Sequence, residues 1–301
     1  NHPLRRILRI LKAPLGPNIL QMPKAQKAKV ATVADNPKTE QNTAEQSDNT
    51  VSLVIGASGG IGKALVHLLA SAEPDEGDNS NKVIALSRTG YKDATWTDNV
   101  TAISLPEHNE RSIEAFVKDL QAQGTRVKLA IVATGVLHNE SQGLRPEKRL
   151  EDISEEALAT YFAVNSTLPA LWMKYLVTVM VKENPLIVCI SARVGSISDN
   201  KLGGWYGYRA SKAALNMLVK TAAVEYTRRL KEPLLVCYHP GTVDTGLSAP
   251  FQKNVKAKKL FTPEFTANQL LTHLSTLSAY RNSNYDESCH FIDWDGKVVT
   301  W

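Results

Sequence analysis

The sequence predicts an α/β fold in which a doubly wound parallel sheet forms a single domain over residues 51–301. Short apolar runs rich in β-branched residues alternate along the chain with longer segments of helical periodicity. A glycine cluster stands between the first apolar run and the first helical segment, and the connections are mostly short. Alternation of this kind places helices on both faces of a parallel sheet, which is the Rossmann-type arrangement.

The predicted elements follow one another in a regular order. The first strand, residues 51–55, leads into the glycine cluster and then into a helix that begins near Lys63. Further strands are predicted at residues 83–86, 100–104, 127–132, 186–190 and 234–238. Helices are predicted at residues 110–123, 154–182, 206–230 and 263–279. Pro169 predicts a kink or a break in the second of these helices, and Asp295-Gly296 predicts a turn near the end of the chain.

Composition and charge exclude several classes of function. The 301 residues are 43% hydrophobic and 22% charged, as in ordinary globular proteins. No apolar run approaches the roughly 18 residues of a membrane-spanning helix. Residues 1–34 hold seven Lys or Arg and no acid, so subtracting these charges from the net +5 leaves −2 for residues 35–301. The folded body therefore lacks the basic surface that nucleic-acid binding requires.

The first 50 residues are predicted to stand apart from the domain. Leu4, Ile7, Leu8 and Leu11 recur at helical spacing among basic residues, which fits a transit peptide or a membrane-surface helix. A disordered extension without an address is the alternative, and the absence of Ser before Ser47 argues against a transit peptide. Residues 35–50 are polar and indicate a flexible linker.

The three cysteines are too widely spaced for a disulfide framework or a metal motif. We therefore predict buried thiols in a reducing compartment, either the cytoplasm or an organelle matrix, and no metal site.

The glycine cluster predicts a phosphate-binding turn. It runs from Gly56 through Ser58, Gly60 and Ile61 to Gly62, directly between a strand and a helix. Glycines there permit a tight turn and let backbone N–H groups approach a pyrophosphate at the helix N-terminus. A plain turn without a ligand is the alternative reading.

Arg88 indicates whether the dinucleotide is NADP or NAD. It follows the second strand at the place where an acidic residue would bind the ribose 2′-hydroxyl of NAD, whereas an arginine suits a 2′-phosphate. NADP is therefore favoured over NAD, and an ordinary exposed arginine is the alternative.

Tyr208 and Lys212 form a candidate acid/base pair. They are four residues apart on a predicted helix and so project from one face. A phenol, with a pKa of about 10, is a poor acid or base near neutrality. A neighbouring ammonium favours the phenolate and is expected to lower that pKa. The pair is thereby able to exchange a proton with a carbonyl or alcohol oxygen, although any surface helix can carry this spacing.

Together these motifs resemble the short-chain dehydrogenase/reductase family. The resemblance rests on the glycine motif at 56–62, Thr134-Gly135, Asn165, Tyr208-x-x-x-Lys212 and Pro240-Gly241, in that order. Residues 191–200, 203–212 and 291–297 are similar to the C-factor-like branch, named for a bacterial cell–cell signalling protein.

The resemblance implies a role for each of these positions. Tyr208 would act as the acid/base, Lys212 would lower its pKa and hold the nicotinamide ribose, and Asn165 would hold a water that links Lys212 to solvent. The other implied cofactor contacts are Thr134 and Gly135 beside the adenosine, the Pro240-Gly241 motif, and Val243 and Thr245 at the carboxamide.

Two positions depart from the family pattern. The family's acidic residue after the third strand, which would hydrogen-bond adenine, has no assigned counterpart in Ser104-Leu105-Pro106-Glu107, and the second departure is the catalytic serine. The substrate-orienting Ser of the family stands three residues before a Gly, and here that place, before Gly195, is Ala192. Ser191 is kept as the candidate catalytic serine, on the expectation that the strand ends there and the loop re-aims its hydroxyl. Otherwise Ser196 or Ser198 substitutes, or the site works without a serine.

The sequence thus predicts an NADP(H)-dependent oxidoreductase that transfers a hydride between nicotinamide and a small carbonyl or alcohol substrate. The resemblance implies a homodimer or homotetramer. The alternative is an NADP-binding signalling or regulatory protein with little turnover, which Ala192 and the name of the branch motivate.

Overall fold

The computed structural model describes residues 49–72, 81–280 and 287–301, and its centre is one parallel sheet. The strands are β1 (Thr50–Ile55), β2 (Val83–Ser87), β3 (Val100–Ser104), β4 (Arg126–Val132), β5 (Leu186–Ile190), β6 (Leu234–His239), β7 (Thr242–Val243), β8 (Leu260–Phe261) and β9 (Cys289–Asp293). Seven of them form the main sheet in the order β3-β2-β1-β4-β5-β6-β9, with every neighbouring pair parallel. The predicted leader and the linker up to residue 48 lie outside the described residues.

Helices cover both faces of this sheet. They are α1 (Gly60–Ala70), α2 (Glu110–Ala122), α3 (Glu155–Phe162), α4 (Leu168–Leu176), α5 (Tyr206–Arg229) and α6 (Pro263–Ala279). Helices α2, α4 and α5 pack into one buried apolar cluster, and α1 and α6 pack into a second cluster on the opposite face. The predicted doubly wound fold is confirmed.

The strands alternate between these two clusters. In β1, Leu53 and Ile55 belong to the first cluster and Val54 belongs to the second. All three side chains are fully buried. Successive side chains of a strand point to opposite faces, so a strand covered on both sides must be apolar at nearly every position.

A π-helical turn, Ala163–Thr167, joins α3 to α4. Its hydrogen bonds span five residues, and the N–H of Leu168 donates to the carbonyl of Ala163. Pro169 has no N–H, so the carbonyl of Asn165 receives no ordinary helical bond four residues on. The predicted break therefore occurs, one turn before the proline, and it contains Asn165.

The predicted extension of this helix to residue 182 is wrong. Helix α4 ends at Leu176 because the following residues pair with the start of β4. The N–H of Val127 donates to the carbonyl of Val179 at 2.9 Å, and the N–H of Val181 donates back to Val127 at 3.0 Å. Pairing with the first residues of β4 thus overrides the helical periodicity of residues 177–182.

The carboxyl ends of all seven strands meet at one edge of the sheet. The strand order reverses between β1 and β4, which is where ligands bind in open sheets of this kind. A second, two-stranded parallel sheet, β7 with β8, lies beyond β6. The predicted turn at Asp295-Gly296 is present, since the N–H of Gly296 donates to the carbonyl of Asp293 at 2.9 Å.

Candidate active site

A cleft of about 930 Å³ opens at the carboxyl edge of the sheet. Its walls contain most of the residues predicted for the cofactor and the chemistry. These are Ser58, Gly60, Ile61, Gly62, Thr134, Gly135, Ser191, Tyr208, Lys212, Pro240, Gly241, Val243 and Thr245. Gly56, Arg88 and Asn165 do not line the cleft. Gly56 packs against Ala133 and Thr134, and Asn165 lies beside Gly135, all of which line it.

The glycine turn is built for close backbone approach. Gly56 has a φ of +91°, and its N–H and that of Ala57 both donate to the carbonyl of Leu86 in β2. A Cβ on Gly62 would stand 2.2 Å from the carbonyl oxygen of Gly56, so only glycine permits this packing. No side chain caps the N-terminus of α1, where Gly59 is the N-cap. The first N–H groups of α1 are thus available to an anionic ligand.

Arg88 lies two residues beyond Leu86, the acceptor that binds the glycine turn to β2. The Arg88 side chain is exposed, and its carbonyl accepts a hydrogen bond from the Ser104 hydroxyl at 3.1 Å. Lys63 adds a second positive charge nearby, because its ammonium sits 4.0 Å from the ring centre of Tyr91. Two cations thus stand on the β2 side of the glycine turn, outside the wall of the cleft.

Tyr208 and Lys212 are both buried, at 7% and 2% exposure, on the face of α5 that meets the cleft. The Lys212 ammonium donates to the carbonyl of Ile190 at 2.8 Å. A Cβ on Gly135 would lie 3.6 Å from the same nitrogen. The lysine is therefore fixed between the ends of β4 and β5.

Burial is the main cause of the pKa shifts of Tyr208 and Lys212. It lowers the pKa of Lys212 to about 8 and raises the pKa of Tyr208 above its usual value. The expected lowering of the tyrosine pKa by the lysine is not seen, because the ammonium is held by Ile190 and stands 5.9 Å from the centre of the phenol ring. Tyr208 is consequently protonated at neutral pH.

Asn165 is buried behind the cleft wall and ties three elements together. Its amide oxygen accepts from the N–H of Val136 at 2.8 Å, and its amide nitrogen donates to the carbonyl of Val136 at 2.9 Å. The same nitrogen donates to the Ser211 hydroxyl, which in turn donates to the carbonyl of Tyr208. Asn165 therefore joins the loop after β4 to the helix that carries Tyr208.

Ser191 lies at the cleft, but its hydroxyl donates to the buried Oδ1 of Asn216 at 2.6 Å. A donor role toward a substrate carbonyl requires release of that bond. Ala192 stands in the cleft wall and packs in the same apolar cluster as Tyr208. The alternatives Ser196 and Ser198 are turned to the C-terminal segment, where they contact Thr300 and Trp301.

An aromatic wall surrounds Tyr208, and sequence reasoning missed its members. The ring of Trp205 lies edge-on to that of Tyr208 at 6.1 Å and to that of Phe251 at 5.2 Å. Tyr161 packs on Tyr208 from behind, and its hydroxyl donates to the carbonyl of Leu137 at 2.8 Å. Only its position before the Tyr-x-x-x-Lys motif could have indicated Trp205. Phe251 could have been indicated only by its place in residues 247–265, the segment after the Pro240-Gly241 motif where the family carries a substrate lid.

Two residues of the cleft carry buried polar atoms that show whether a dinucleotide fits this site. Thr134 Oγ1 and His239 Nδ1 have no hydrogen-bond partner within the described part of the chain. Both residues line the cleft, and burial lowers the pKa of His239 to about 4, so the imidazole is neutral. Unpaired buried polar atoms beside an uncapped helix N-terminus match a polar ligand with phosphates.

Within residues 49–72, 81–280 and 287–301, no group of His, Cys, Asp and Glu could hold a metal ion. No helix in those ranges is long and apolar enough to cross a bilayer. The three cysteines are all buried and unpaired.

Comparison with known proteins agrees with this geometry. A model of the family described as short chain dehydrogenase matches residues 50–256. The 1-hydroxy-2-glutathionyl-2-methyl-3-butene dehydrogenase of Rhodococcus sp. is 25% identical over 249 residues, which is 83% of this chain and 98% of that protein. C-signal of Myxococcus xanthus is 31% identical over 112 residues, 37% of this chain and 58% of that protein. The resemblance to the C-factor-like branch is thereby confirmed.

The fold has solved counterparts. The NADPH-bound carbonyl reductase from chicken fatty liver superposes with a TM-score of 0.65 at 24% identity, over 84% of this chain and 94% of that one. The family match spans the glycine turn, the Tyr–Lys pair and the cleft between them. The chain therefore belongs to the short chain dehydrogenase family and is an NAD(P)-dependent oxidoreductase that acts on CH–OH or C=O groups.

Proposed function

We propose that the protein is an NADP(H)-dependent carbonyl reductase in which Tyr208 donates the proton to the substrate oxygen. The observation that carries this proposal is the buried Tyr208–Lys212 pair in the wall of the same cleft that the glycine turn lines. Burial keeps Tyr208 protonated at neutral pH, which is the form that reduction of a carbonyl requires.

Different residues of the cleft would bind different parts of the cofactor. The turn from Gly56 to Gly62 and the N-terminus of α1 would hold the pyrophosphate, and Arg88 would bind the 2′-phosphate. Lys212 would hold the nicotinamide ribose, with Val243 and Thr245 at the carboxamide. The cofactor, when bound, supplies the hydride. Asn165 fixes the loop after β4 against α5 and so keeps Lys212 and Tyr208 in register.

The preference for NADP rests on charge. Arg88 and Lys63 stand at the β2 end of the glycine turn, where a 2′-phosphate would lie. A related fold, the chicken carbonyl reductase, holds NADPH in its solved structure, which supports the same choice here.

The shape of the chamber next to Tyr208 indicates the kind of substrate. Leu137, Val194, Trp205 and Phe251 line it together with Ala192, so its wall is almost wholly apolar. A carbonyl compound with a bulky apolar or aromatic group fits such a chamber better than a small polar one.

The first test is binding of NADPH and NADH to the full chain, followed by cofactor oxidation against a panel of aromatic and aliphatic carbonyl compounds. We expect tighter binding of NADPH and turnover on the apolar members of the panel. Tyr208→Phe should lower kcat by about 10²–10⁴-fold with unchanged NADPH affinity. The matched control is Tyr206→Phe, which removes a hydroxyl on the same helix and should leave kcat unchanged.

A second function is favoured by one observation. The wall residue Ala192 carries no hydroxyl, and Ser191 is bonded to Asn216, so no serine donates to a substrate carbonyl in this arrangement. An NADP-binding signalling protein with little turnover is compatible with that feature. Tight NADPH binding without turnover on the whole panel would favour it over the reductase.

Self-association is also proposed. Met217 on α5 and Phe162 on α3 are exposed at 66% and 38%, and these two helices pack on each other. Pairing of two copies through these helices would remove exposed apolar side chains from water. Light scattering on the full chain should give twice or four times the mass of 33.0 kDa.

A further inference from the structure

The start of α5 is an unusual helix terminus. Trp205, its N-cap, has a φ of +53°, a left-handed conformation that non-glycine residues seldom adopt, and it provides no side-chain cap. The helix nevertheless places Tyr208 within its first turn. Something outside the helix must therefore hold this terminus in place.

Glu147, from the loop after β4, supplies that contact. Its carbonyl accepts the N–H of Trp205, and both of its carboxylate oxygens accept the N–H of Gly207, at 3.2 and 3.1 Å. The side chain comes from 60 residues away along the chain and is only 2% exposed. A carboxylate at a helix N-terminus is stabilised by the helix dipole and by the free N–H groups there.

Tyr161 closes the other side of the same turn. A Cβ on Gly207 would lie 2.4 Å from Cδ2 of Tyr161 and 2.8 Å from Oε1 of Glu147. The first turn of α5 is thus wedged between the carboxylate and the buried ring, with no room for any side chain at residue 207. Because Tyr208 is the next residue, the wedge fixes its backbone position in the cleft.

We propose that Glu147 is a positioning residue, whose buried carboxylate holds the first turn of α5 and thereby sets where the Tyr208 hydroxyl meets the substrate oxygen. The proposal rests on the proton-donor role of Tyr208 proposed above. Glu147 itself does not line the cleft and touches neither substrate nor cofactor. A displacement of about 1 Å at the reacting group costs roughly 10²-fold in rate, which sets the expected scale.

The experiment compares Glu147→Ala and Glu147→Gln with the wild type in the full chain. We expect Glu147→Ala to lower kcat by about 10–10²-fold while the Kd for NADPH and the KM for the carbonyl change less than about threefold. Glu147→Gln keeps an oxygen acceptor for the Gly207 N–H, so it should recover most of kcat. The alkaline limb of the kcat–pH profile should move in Glu147→Ala, because the environment of Tyr208 changes.

The matched control is another helix cap far from the cleft. The side chain of Asn109 accepts the N–H of Ser112 at the start of α2. Asn109→Ala should lower the Tm in the same way as loss of any N-cap, with kcat and its pH profile unchanged. If Asn109→Ala lowers kcat as much as Glu147→Ala does, the role of Glu147 is structural and the proposal is overturned.

Hydrogen exchange separates this proposal from the proposed function. Removal of the carboxylate should speed exchange of the Gly207 and Tyr208 amides, whether or not the protein turns over a carbonyl. Unchanged exchange at these amides, or a kcat of Glu147→Ala within twofold of wild type, overturns the proposal. If Glu147→Ala does not fold, Glu147→Asp, whose shorter side chain draws the carboxylate away from the Gly207 N–H, takes its place in the same exchange and kcat measurements. If the wild type shows no turnover but the amides exchange faster in Glu147→Ala, the proposed reductase function is wrong. The contact of Glu147 with the first turn of α5 is then still supported.

Discussion

The ammonium nitrogen of Lys212 lies 5.9 Å from the centre of the Tyr208 ring and donates to the carbonyl of Ile190 in β5. The ammonium group of Lys212 is thus bonded to the sheet, whereas Tyr208 is positioned by the first turn of α5, the helix that carries both residues. Their relative position depends on how helix and sheet pack. Within the described residues, Lys212 is a buried cation whose one hydrogen bond goes to the Ile190 carbonyl, so its protonation has a measurable effect on stability.

The first prediction concerns that effect. The pKa of Lys212 is about 8 in the folded protein and 10.5 when exposed. Between these values the unfolded chain binds more protons, so the folded state gains stability as the pH rises through this window. We expect the difference in unfolding free energy between wild type and Lys212→Met to move in favour of wild type by about 2–3 kcal/mol from pH 8 to pH 10.5. Urea titrations at both ends measure it; exposed Lys201→Met is the control, and parallel curves would contradict the prediction.

Arg88→Asp should reverse the cofactor preference. The aspartate would repel a 2′-phosphate and accept a hydrogen bond from a 2′-hydroxyl. Since a charge-assisted hydrogen bond contributes about 1.5–3 kcal/mol, the Kd for NADPH should rise by roughly 10–10²-fold. Fluorescence titration with NADPH and NADH measures the ratio. Arg111→Asp makes the same charge change on α2 and should leave the ratio of the two affinities unaltered. An unchanged ratio in Arg88→Asp would show that Arg88 does not bind the 2′-phosphate.

Ala192→Ser should raise kcat. The new hydroxyl would stand beside Tyr208, where a donor to the substrate carbonyl is missing, and one preorganised donor of this kind contributes about 10²–10³-fold. We expect a gain of about 10-fold or more from steady-state kinetics, with NADPH affinity unchanged. No gain on any substrate of the panel would mean that the site polarises the carbonyl by another route.

Ser191→Ala tests the serine that the sequence favoured. Because its hydroxyl donates to Asn216, removal leaves a buried amide oxygen unpaired and should destabilise the protein by about 1–3 kcal/mol. The kcat should change by less than about threefold if that bond persists during turnover. A fall of kcat comparable to that of Tyr208→Phe would show that Ser191 leaves Asn216 and binds the substrate.

The partly buried His239, whose Nδ1 is inaccessible, makes the fold sensitive to acid. Its pKa is about 4 in the folded state against 6.5 when exposed, so the unfolded chain binds more protons between these values. Stability present above pH 6.5 is therefore lost as the pH falls through 4, by about 1–3 kcal/mol from this group. The Tm of His239→Asn should fall less steeply than that of wild type over this range. If the Tm of both proteins falls equally steeply with pH, a group other than His239 causes the sensitivity to acid.

The fold could be predicted from the sequence because local signals agreed with one another. The apolar runs marked β1 to β6 of the main sheet, and Gly124, whose φ is +67°, follows the end of α2. The end of α4 could not be predicted, because the pairing of Val127 with residues 179–181 is a long-range contact. The two-residue strands β7 and β8 are too short to leave a periodic pattern.

The site was predictable where its residues belong to contiguous motifs. Gly60, Tyr208 and Lys212 were named from spacing, and all line the cleft. Glu147 was not, since a glutamate in a polar loop carries no local signal and its partner is 60 residues away. The pKa of Tyr208 was predicted in the wrong direction, because sequence spacing gives the neighbour of a group and not the cost of its burial.

The three buried thiols provide a built-in reporter of unfolding. Cys189, Cys237 and Cys289 sit on the adjacent strands β5, β6 and β9, and burial raises the pKa of each. A thiol-specific reagent can reach them only when this half of the sheet opens. The rate of labelling under native conditions therefore follows the opening of the core, and a ligand that occupies the cleft should slow it in proportion to its affinity.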